Sequence, residues 1–448
     1  MTEFIERLEE LDQPFVKVAI TDIDGILRGK YMAREKVVEA AKRGFGFCNV
    51  VFGWDSNDQV YDNATLSGWH TGYADGLARL DPTTLREIPW EDGTPFCLAD
   101  FAHDQSGLAD ACPRTLLKRV VAKAESMGFT PKFGPEFEWF TLRETPDSLV
   151  EKGYHRPLPI SPSMFGYSIL RTTLNAPFFR DLLHQLRAFR IPLEGLHTET
   201  GPGVLEAAIR YDDVLSAADR AVLFKTAVKE IAYRHGFLAT FMAKWREDLP
   251  GCSGHLHQSL WRDGENQFGS AEHPRGMSKL MEHYVAGQLH CLPELMPLLA
   301  PTINSYKRYV AGSWAATGMN WGIGNRTTAL RVIAADPGST RLETRLPGAD
   351  ANPYLSIAAA LAAGLYGIER ELPLTTEAIQ GNAYADQDQP SLPRTLAEAV
   401  GRMKASELPG QLLGDAFCRH FIATREWEVR QHEVAVTDWE LRRYLEII

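Results

Sequence analysis

The chain has 448 residues, 44% of them hydrophobic, and a formal net charge of -11. That length holds two or more domains, or one large domain with an appendage, around a sizeable core. The acidic balance disfavours nucleic acid and anionic membranes as partners but leaves room for a basic pocket that takes an anionic substrate.

Six scattered cysteines (Cys48, Cys97, Cys112, Cys252, Cys291 and Cys418) show no C-x-x-C spacing. This argues against a disulfide framework and a zinc knuckle, and it fits a reducing cytoplasm. The opening MTEFIERLEELDQPF is acidic and amphipathic, without the basic and apolar regions of a signal peptide. Residues 16–32, VKVAITDIDGILRGKYM, predict a hairpin through an Asp-Gly turn, and GFCNVVFGW and TPFCLADF predict further strands, so the first hundred residues read mostly as strands and loops. A polar tract at 104–114 precedes an amphipathic helix, RTLLKRVVAKAESMG, ended by Gly128. A domain boundary is expected there, dividing residues 1–110 from residues 111–448.

Beyond it, helices alternate with strands. Apolar periodicity predicts helices at FFRDLLHQLRAF, at 213–236, at SKLMEHYVAGQLHCL and at NPYLSIAAALAAGLYGIERE. Strands are expected at PKFGPEFEWF, LEGLHTE, VLEAAIRY, FLATFMAKW, SGHLHQSLW, TTALRVIA and TRLETRLP, and the tail from LPRTLAEAV onward reads as helical. The longest nearly apolar run, 356–368, is shorter than the roughly 20 residues that span a bilayer. The pattern predicts an α+β fold, with helices around a largely antiparallel sheet.

Polar residues alternate along three of these strands. Glu136 and Glu138 share one face of GPEFEWF while Phe137 and Trp139 take the other; His255 and His257 alternate in SGHLHQSL; Arg341, Glu343 and Arg345 alternate in RLETRL. Any one row is equally well a solvated sheet face. A fourth feature, HTETGPGVLEAAI, carries Glu199 and Glu206 about a Gly-Pro-Gly turn, which by itself reads as an exposed turn. Five glutamates and a histidine brought together need cations, and oxygen donors with an occasional imidazole suit Mg²⁺ or Mn²⁺. Arg308, Arg326, Arg331, Arg341 and Arg345 add guanidinium groups suited to phosphate and carboxylate oxygens. Metals with arginines point to phosphoryl transfer, although the chain has neither a P-loop nor a kinase catalytic loop.

The segments RGKYM, GPEFEWF, ETGPGVLEAAI, GCSGHLHQSL, PTINSYKRYVAGSWAATGMNWGIGNRTTALRV and RLETRLPGADANPYLSIAAALAAGL resemble, in order, those of the bacterial type I glutamine synthetases and their amine-ligating relatives. The resemblance covers the chain from about residue 16 to the end. It implies an N-terminal β-grasp domain and a catalytic domain with a curved sheet. It also implies a homo-oligomer, a dodecamer of two stacked hexamers in which the neighbour's N-terminal domain completes each active site. Two or three Mg²⁺ or Mn²⁺ ions per site are implied, with ATP as co-substrate.

Carried over by motif, Glu138, Glu199 and Glu206 would hold one ion and Glu136, His255 and Glu343 another. Arg308, Arg345 and Gly251 would bind glutamate; His257, Ser259, Arg331 and Arg341 would meet ATP; and Arg326 would join the transferring phosphoryl group as a catalytic residue with Arg308 and Trp314. The implied chemistry passes the ATP γ-phosphoryl group to the glutamate γ-carboxylate, after which an amine displaces phosphate.

Two departures from the family fall on the ammonium site. Where ammonia-using synthetases carry a flap glutamate after SYKR, this chain reads AGSWAATG and presents Trp314; the DGSS stretch is absent, with FGWDSND and Asp55 in its place. The expected second substrate is therefore an organic primary amine in a pocket shaped by Trp314, in the manner of the glutamate-polyamine and glutamate-monoamine ligases. An ammonia-using synthetase and a non-catalytic relative are the alternatives. Trp54, Tyr61, Trp69 and His70 are further candidates for the amine pocket; whether Tyr384 in GNAYADQ stands where some relatives are adenylylated is left open by the sequence.

Overall fold

The computed structural model describes residues 2–273, 275–334, 336–386 and 389–448. In the N-terminal part, Phe15–Thr21 and Leu27–Ala33 form the expected antiparallel hairpin, with Gly25 at φ 83° in the turn where a side chain would be strained. Phe15–Thr21 pairs in parallel with Thr94–Phe101, which continues the sheet to Asp75–Leu80 and Phe45–Cys48.

Reading this region as strands and loops misses a helix, Arg34–Arg43, whose Val37 and Ala40 bury against the hairpin. GFCNVVFGW is a strand only as far as Cys48. It then tightens into a 3₁₀ turn, Asn49–Phe52, which sends Val51 and Phe52 into the core.

The second sheet has ten strands. Its path runs Trp321–Ile323, Leu330–Ile333, Arg341–Thr344, Gly254–Arg262, Thr130–Leu142, Val204–Ile209 and Leu193–Thr198. The first pair is parallel and the other neighbours on the path are antiparallel. FLATFMAKW contributes only Leu238–Thr240, and the short strand Trp321–Ile323 has no counterpart among the expected strands.

Alternation in Thr130–Leu142 explains the layering. Phe137 and Trp139 are buried, and their rings lie 5.9 Å and 5.6 Å from that of Phe224 in the helix Val214–Arg234, which fills one face of the sheet. The apolar run 356–368 lies in Pro353–Glu369, buried against Lys279–Leu299. The two helices touch backbone to backbone: a Cβ on Gly287 would meet the Ala363 carbonyl at 2.3 Å. Among the described residues no helix is long and apolar enough to cross a membrane. The tail forms Leu396–Ala405, Leu408–Leu413, Asp415–Val434 and Asp438–Tyr444.

A buried ion network ties the two sheets together. Arg114 donates through Nε and Nη2 to Asp219 (2.7 and 2.8 Å), through Nη1 to Asp100 (2.8 Å) and through Nη2 to Asp81 (2.7 Å). Asp81 and Asp100 belong to the N-terminal sheet region, and Asp219 to the helix behind the second sheet.

Candidate active site

Register brings the polar rows side by side. Glu136 lies opposite His255 on the adjacent strand, and Glu343 lies opposite both His257 and Arg331. On the other flank, Glu206 lies between Glu138 and His197. The hairpin that carries Glu199 turns through Gly201 and Gly203 at positive φ; a Cβ on Gly203 would meet the Thr141 carbonyl at 2.6 Å, so a larger residue would push the turn off the sheet.

Two groups of donors result. Glu136, His255 and Glu343 offer ligand atoms within 4.8 Å of one another, and so do His197, Glu199 and Glu206. The first group is the set expected from the sequence. In the second, Glu199 and Glu206 come together as expected, and the imidazole of His197 joins them. Glu138 stands beside Glu206 and accepts the Ser253 amide at 2.6 Å.

The electrostatics are those of a cation site. Burial, with the neighbouring Glu136 and Glu138 carboxylates, pushes the Glu206 carboxyl up to about 10, and burial pushes Glu138 up to about 7. Burial also opposes charge on Glu136, but hydrogen bonds from His255 and His257 outweigh it and hold its carboxyl well below the usual range. Glu343 falls to about 2 against the cost of burial, chiefly through Arg345 and then His255 and His257. Its two oxygens accept from Arg345 Nη1 and from Arg331 Nη1, the latter at 2.8 Å.

Burial and the Arg345 charge lower the pKa of His255. Its Nδ1 lies 3.1 Å from Glu136 and 3.5 Å from Glu343, while its buried Nε2 has no partner among the described residues. Buried, crowded carboxylates, with those of Glu138 and Glu206 pushed up, beside imidazole nitrogens fit divalent cations with oxygen-rich coordination.

A cavity of about 360 Å³ opens beside Glu136, lined by Lys132, His257, Ser259, Trp261 and Arg341 among others. Three of the residues expected to meet ATP, namely His257, Ser259 and Arg341, therefore face one space. Lys132 and Trp261 are not among the residues expected from the sequence, yet the Lys132 ammonium lies 5.6 Å from the Trp261 ring centroid. Their signal is present, since Trp261 continues the alternation of His255, His257 and Ser259, and Lys132 that of Glu136 and Glu138. Arg331 is held on Glu343, and Arg326 is exposed in the loop before Leu330–Ile333.

Arg308 is 1% exposed, with Nη1 donating to Ser253 Oγ at 3.0 Å and Nη2 to the Leu346 carbonyl. Gly251 lets its stem pass, because a Cβ there would lie 2.7 Å from Arg308 Cγ. Trp314 is 56% exposed and holds φ at 62°, an uncommon conformation for a bulky residue, and its carbonyl accepts from Arg345 Nη2 at 3.3 Å.

Asp55 is turned inward within the chain. Its Oδ1 accepts the Asn57 and Gln59 amides, and its Oδ2 accepts Trp427 Nε1 at 2.9 Å. Tyr61 is buried against Trp427, and Trp54 lies under the Arg28 guanidinium, 5.1 Å from it. Trp69 is 82% exposed and His70 is also exposed. The Tyr384 hydroxyl is buried.

Comparison with known proteins agrees with this geometry. Residues 110–444 match the glutamine synthetase catalytic domain. The chain is 50% identical over 449 residues to "Type-1 glutamine synthetase 2" of Dictyostelium discoideum, covering 99% of this chain and 86% of that protein. It is 37% identical over 452 residues to the glutamate–isopropylamine ligase of a Pseudomonas species, covering 100% and 97% of the two chains. Identity to the gamma-glutamylethanolamide synthetase GlnA4 of Streptomyces coelicolor is 39% over 445 residues, covering 95% of each. A solved GmaS/ADP complex superposes with a TM-score of 0.86 at 29% identity, covering 99% of this chain and all of that one. With its curled sheet, its surrounding helices and a profile match from residue 110 to residue 444, the chain belongs to the glutamine synthetase family.

Proposed function

We propose that this protein is an ATP-dependent ligase that joins the γ-carboxylate of glutamate to an organic primary amine, giving a γ-glutamylamide, ADP and phosphate. The observation that carries the reading is the convergence on one sheet face of two donor groups, a cavity bearing His257, Ser259 and Arg341, and a flap with Trp314 exposed where ammonia-using relatives carry a glutamate. The names of two relatives, an isopropylamine ligase and an ethanolamide synthetase, support an organic amine.

In this mechanism an oxygen of the glutamate γ-carboxylate attacks the ATP γ-phosphorus and the bond to ADP breaks. The amine nitrogen then attacks the acyl carbon, and the carbon–oxygen bond to phosphate breaks as the nitrogen loses a proton. Glu136, Glu138, Glu199, Glu206, His255 and Glu343 would hold two or three Mg²⁺ or Mn²⁺ ions, which would supply charge neutralisation at the phosphates. Arg308, Arg345 and Gly251 orient glutamate; Arg331 and Arg341, with His257 and Ser259, orient ATP; and Arg326 approaches the transferring group. Trp314 closes an apolar pocket around the amine substituent and keeps water from the acyl phosphate.

We take residues 1–110 as a β-grasp domain and 111–448 as the catalytic domain. The assembly we propose is a dodecamer of two hexamers, with the neighbour's N-terminal domain completing each site.

The test is the amide-forming rate with ammonium and with methylamine, isopropylamine, ethanolamine, putrescine and aniline, each at saturating glutamate and ATP. The highest kcat/KM is expected for an organic amine, and Trp314→Glu is expected to shift the ratio toward ammonium. An unchanged ratio overturns the role of Trp314. The highest kcat/KM with ammonium favours the second reading, an ammonia-using synthetase, which the 50% identity to a type-1 glutamine synthetase supports.

A further inference from the structure

We infer that His197 is itself a ligand of the cation held by Glu199 and Glu206, so that this site, like its neighbour, has mixed nitrogen and oxygen coordination. The inference rests on reading the two donor groups as metal sites and adds to one of them a residue that the motif comparison did not supply.

The geometry is specific. His197 Nδ1 lies 3.7 Å from Glu199 Oε2 and Nε2 lies 3.8 Å from Glu206 Oε1. Both distances exceed hydrogen-bond length, so the ring faces two carboxylates without bonding to either. Two ligands on a common ion at about 2.0–2.2 Å stand no more than about 4.4 Å apart; the Nε2–Glu206 separation falls inside that limit, and one ligand atom each from His197, Glu199 and Glu206 lies within 4.8 Å of the others.

The ring is also oriented for ligation. Nδ1 lies 3.1 Å from the Thr198 carbonyl, which places the proton there and leaves the Nε2 lone pair directed toward Glu206. Tyr167 stacks on the imidazole at 4.3 Å between centroids and 19° between planes. The segment that carries Tyr167 is tied to the same threonine. The Tyr167 amide donates to the Thr198 carbonyl (2.6 Å), the Ser168 amide donates to Thr198 Oγ1 (2.9 Å), and that hydroxyl donates to the Phe165 carbonyl (2.8 Å). One residue, Thr198, thus fixes both the tautomer of His197 and the aromatic plate that holds its ring in plane. An imidazole added to the carboxylate donors raises the preference for Mn²⁺ over Mg²⁺.

The test is a Mn²⁺ titration of the full-length protein without nucleotide, read by electron paramagnetic resonance, with the ¹⁴N modulation of bound Mn²⁺ counting imidazole ligands. Wild type is expected to bind at least two ions with two imidazole couplings, one from His255 and one from His197. His197→Ala is expected to weaken one class of site tenfold or more, to remove one ¹⁴N coupling and to leave the other class unchanged. His197→Gln, which keeps bulk and polarity, is expected to do the same, and Tyr167→Ala to give a smaller loss that Tyr167→Phe does not.

Two imidazole couplings retained in both His197 variants overturn the inference while leaving the two-metal reading in place. A wild-type protein that binds no Mn²⁺ overturns both.

Discussion

His420 offers a sharp test of how the tail is locked to the rest of the chain. It sits on the helix Asp415–Val434, is 4% exposed, has no partner among the described residues at either ring nitrogen, and packs edge-on to Phe52 at 6.1 Å. Burial, helped by the nearby Arg425 charge, drives its pKa from 6.5 down to about 4. The folded imidazole therefore stays neutral through a range in which the unfolded one takes up a proton. Above pH 6.5 both states are neutral and the group costs nothing. As the pH falls below 6.5, stability is lost, by about 1.4 kcal/mol at pH 5.5 and by about 3.4 kcal/mol once the pH is below 4, since a tenfold difference in proton affinity between the folded and unfolded imidazole is worth about 1.36 kcal/mol. The measurement is the difference in urea-unfolding free energy between wild type and His420→Leu at pH 7.5, 6.5, 5.5 and 5.0; other titrating groups cancel in that difference. Wild type is expected to lose stability relative to the variant as the pH drops. Parallel pH profiles for the two proteins would show that the buried ring is protonated in the fold and would refute the reasoning.

Two further outcomes follow from close contacts. Arg114→Met removes the cation that pairs Asp219, Asp100 and Asp81 in a buried setting, and it is expected to cost about 3–5 kcal/mol in chemical denaturation, because it leaves uncompensated buried carboxylates. Gly251→Ala places a Cβ 2.4 Å from the Ala243 carbonyl and 2.7 Å from Arg308 Cγ, so the arginine stem must move; KM for glutamate is expected to rise about tenfold, a loss of about 1.4 kcal/mol of binding, and an unchanged KM would remove Arg308 from the glutamate site.

How much of this site can be read from the sequence depends on the period of its elements. A strand repeats every two residues, so Glu136 with Glu138, and His255 with His257, declare a shared face before any pairing is known. The same period carries Lys132 and Trp261, which escape notice because a lysine and a tryptophan on a strand look like surface and core. What alternation cannot supply is register. Glu206 comes to lie between Glu138 and His197 only because three strands pair at particular offsets; His197 alternates with Glu199 in LEGLHTE, a legible pairing, but its place beside Glu206 follows only from that register. The helix Arg34–Arg43 is hidden for a related reason: with about ten residues and few buried apolar positions, its pattern is short beside the strong strand signals on either side. Trp314 is a third case. Its presence in place of a flap glutamate is visible in the sequence, but its left-handed backbone is not, and neither is the hydrogen bond that its carbonyl accepts from Arg345, 31 residues on. Tyr154 and Tyr167 are also exposed rings on a left-handed backbone, so the proposed amine-facing role of Trp314 rests on its place in the flap sequence and not on its φ.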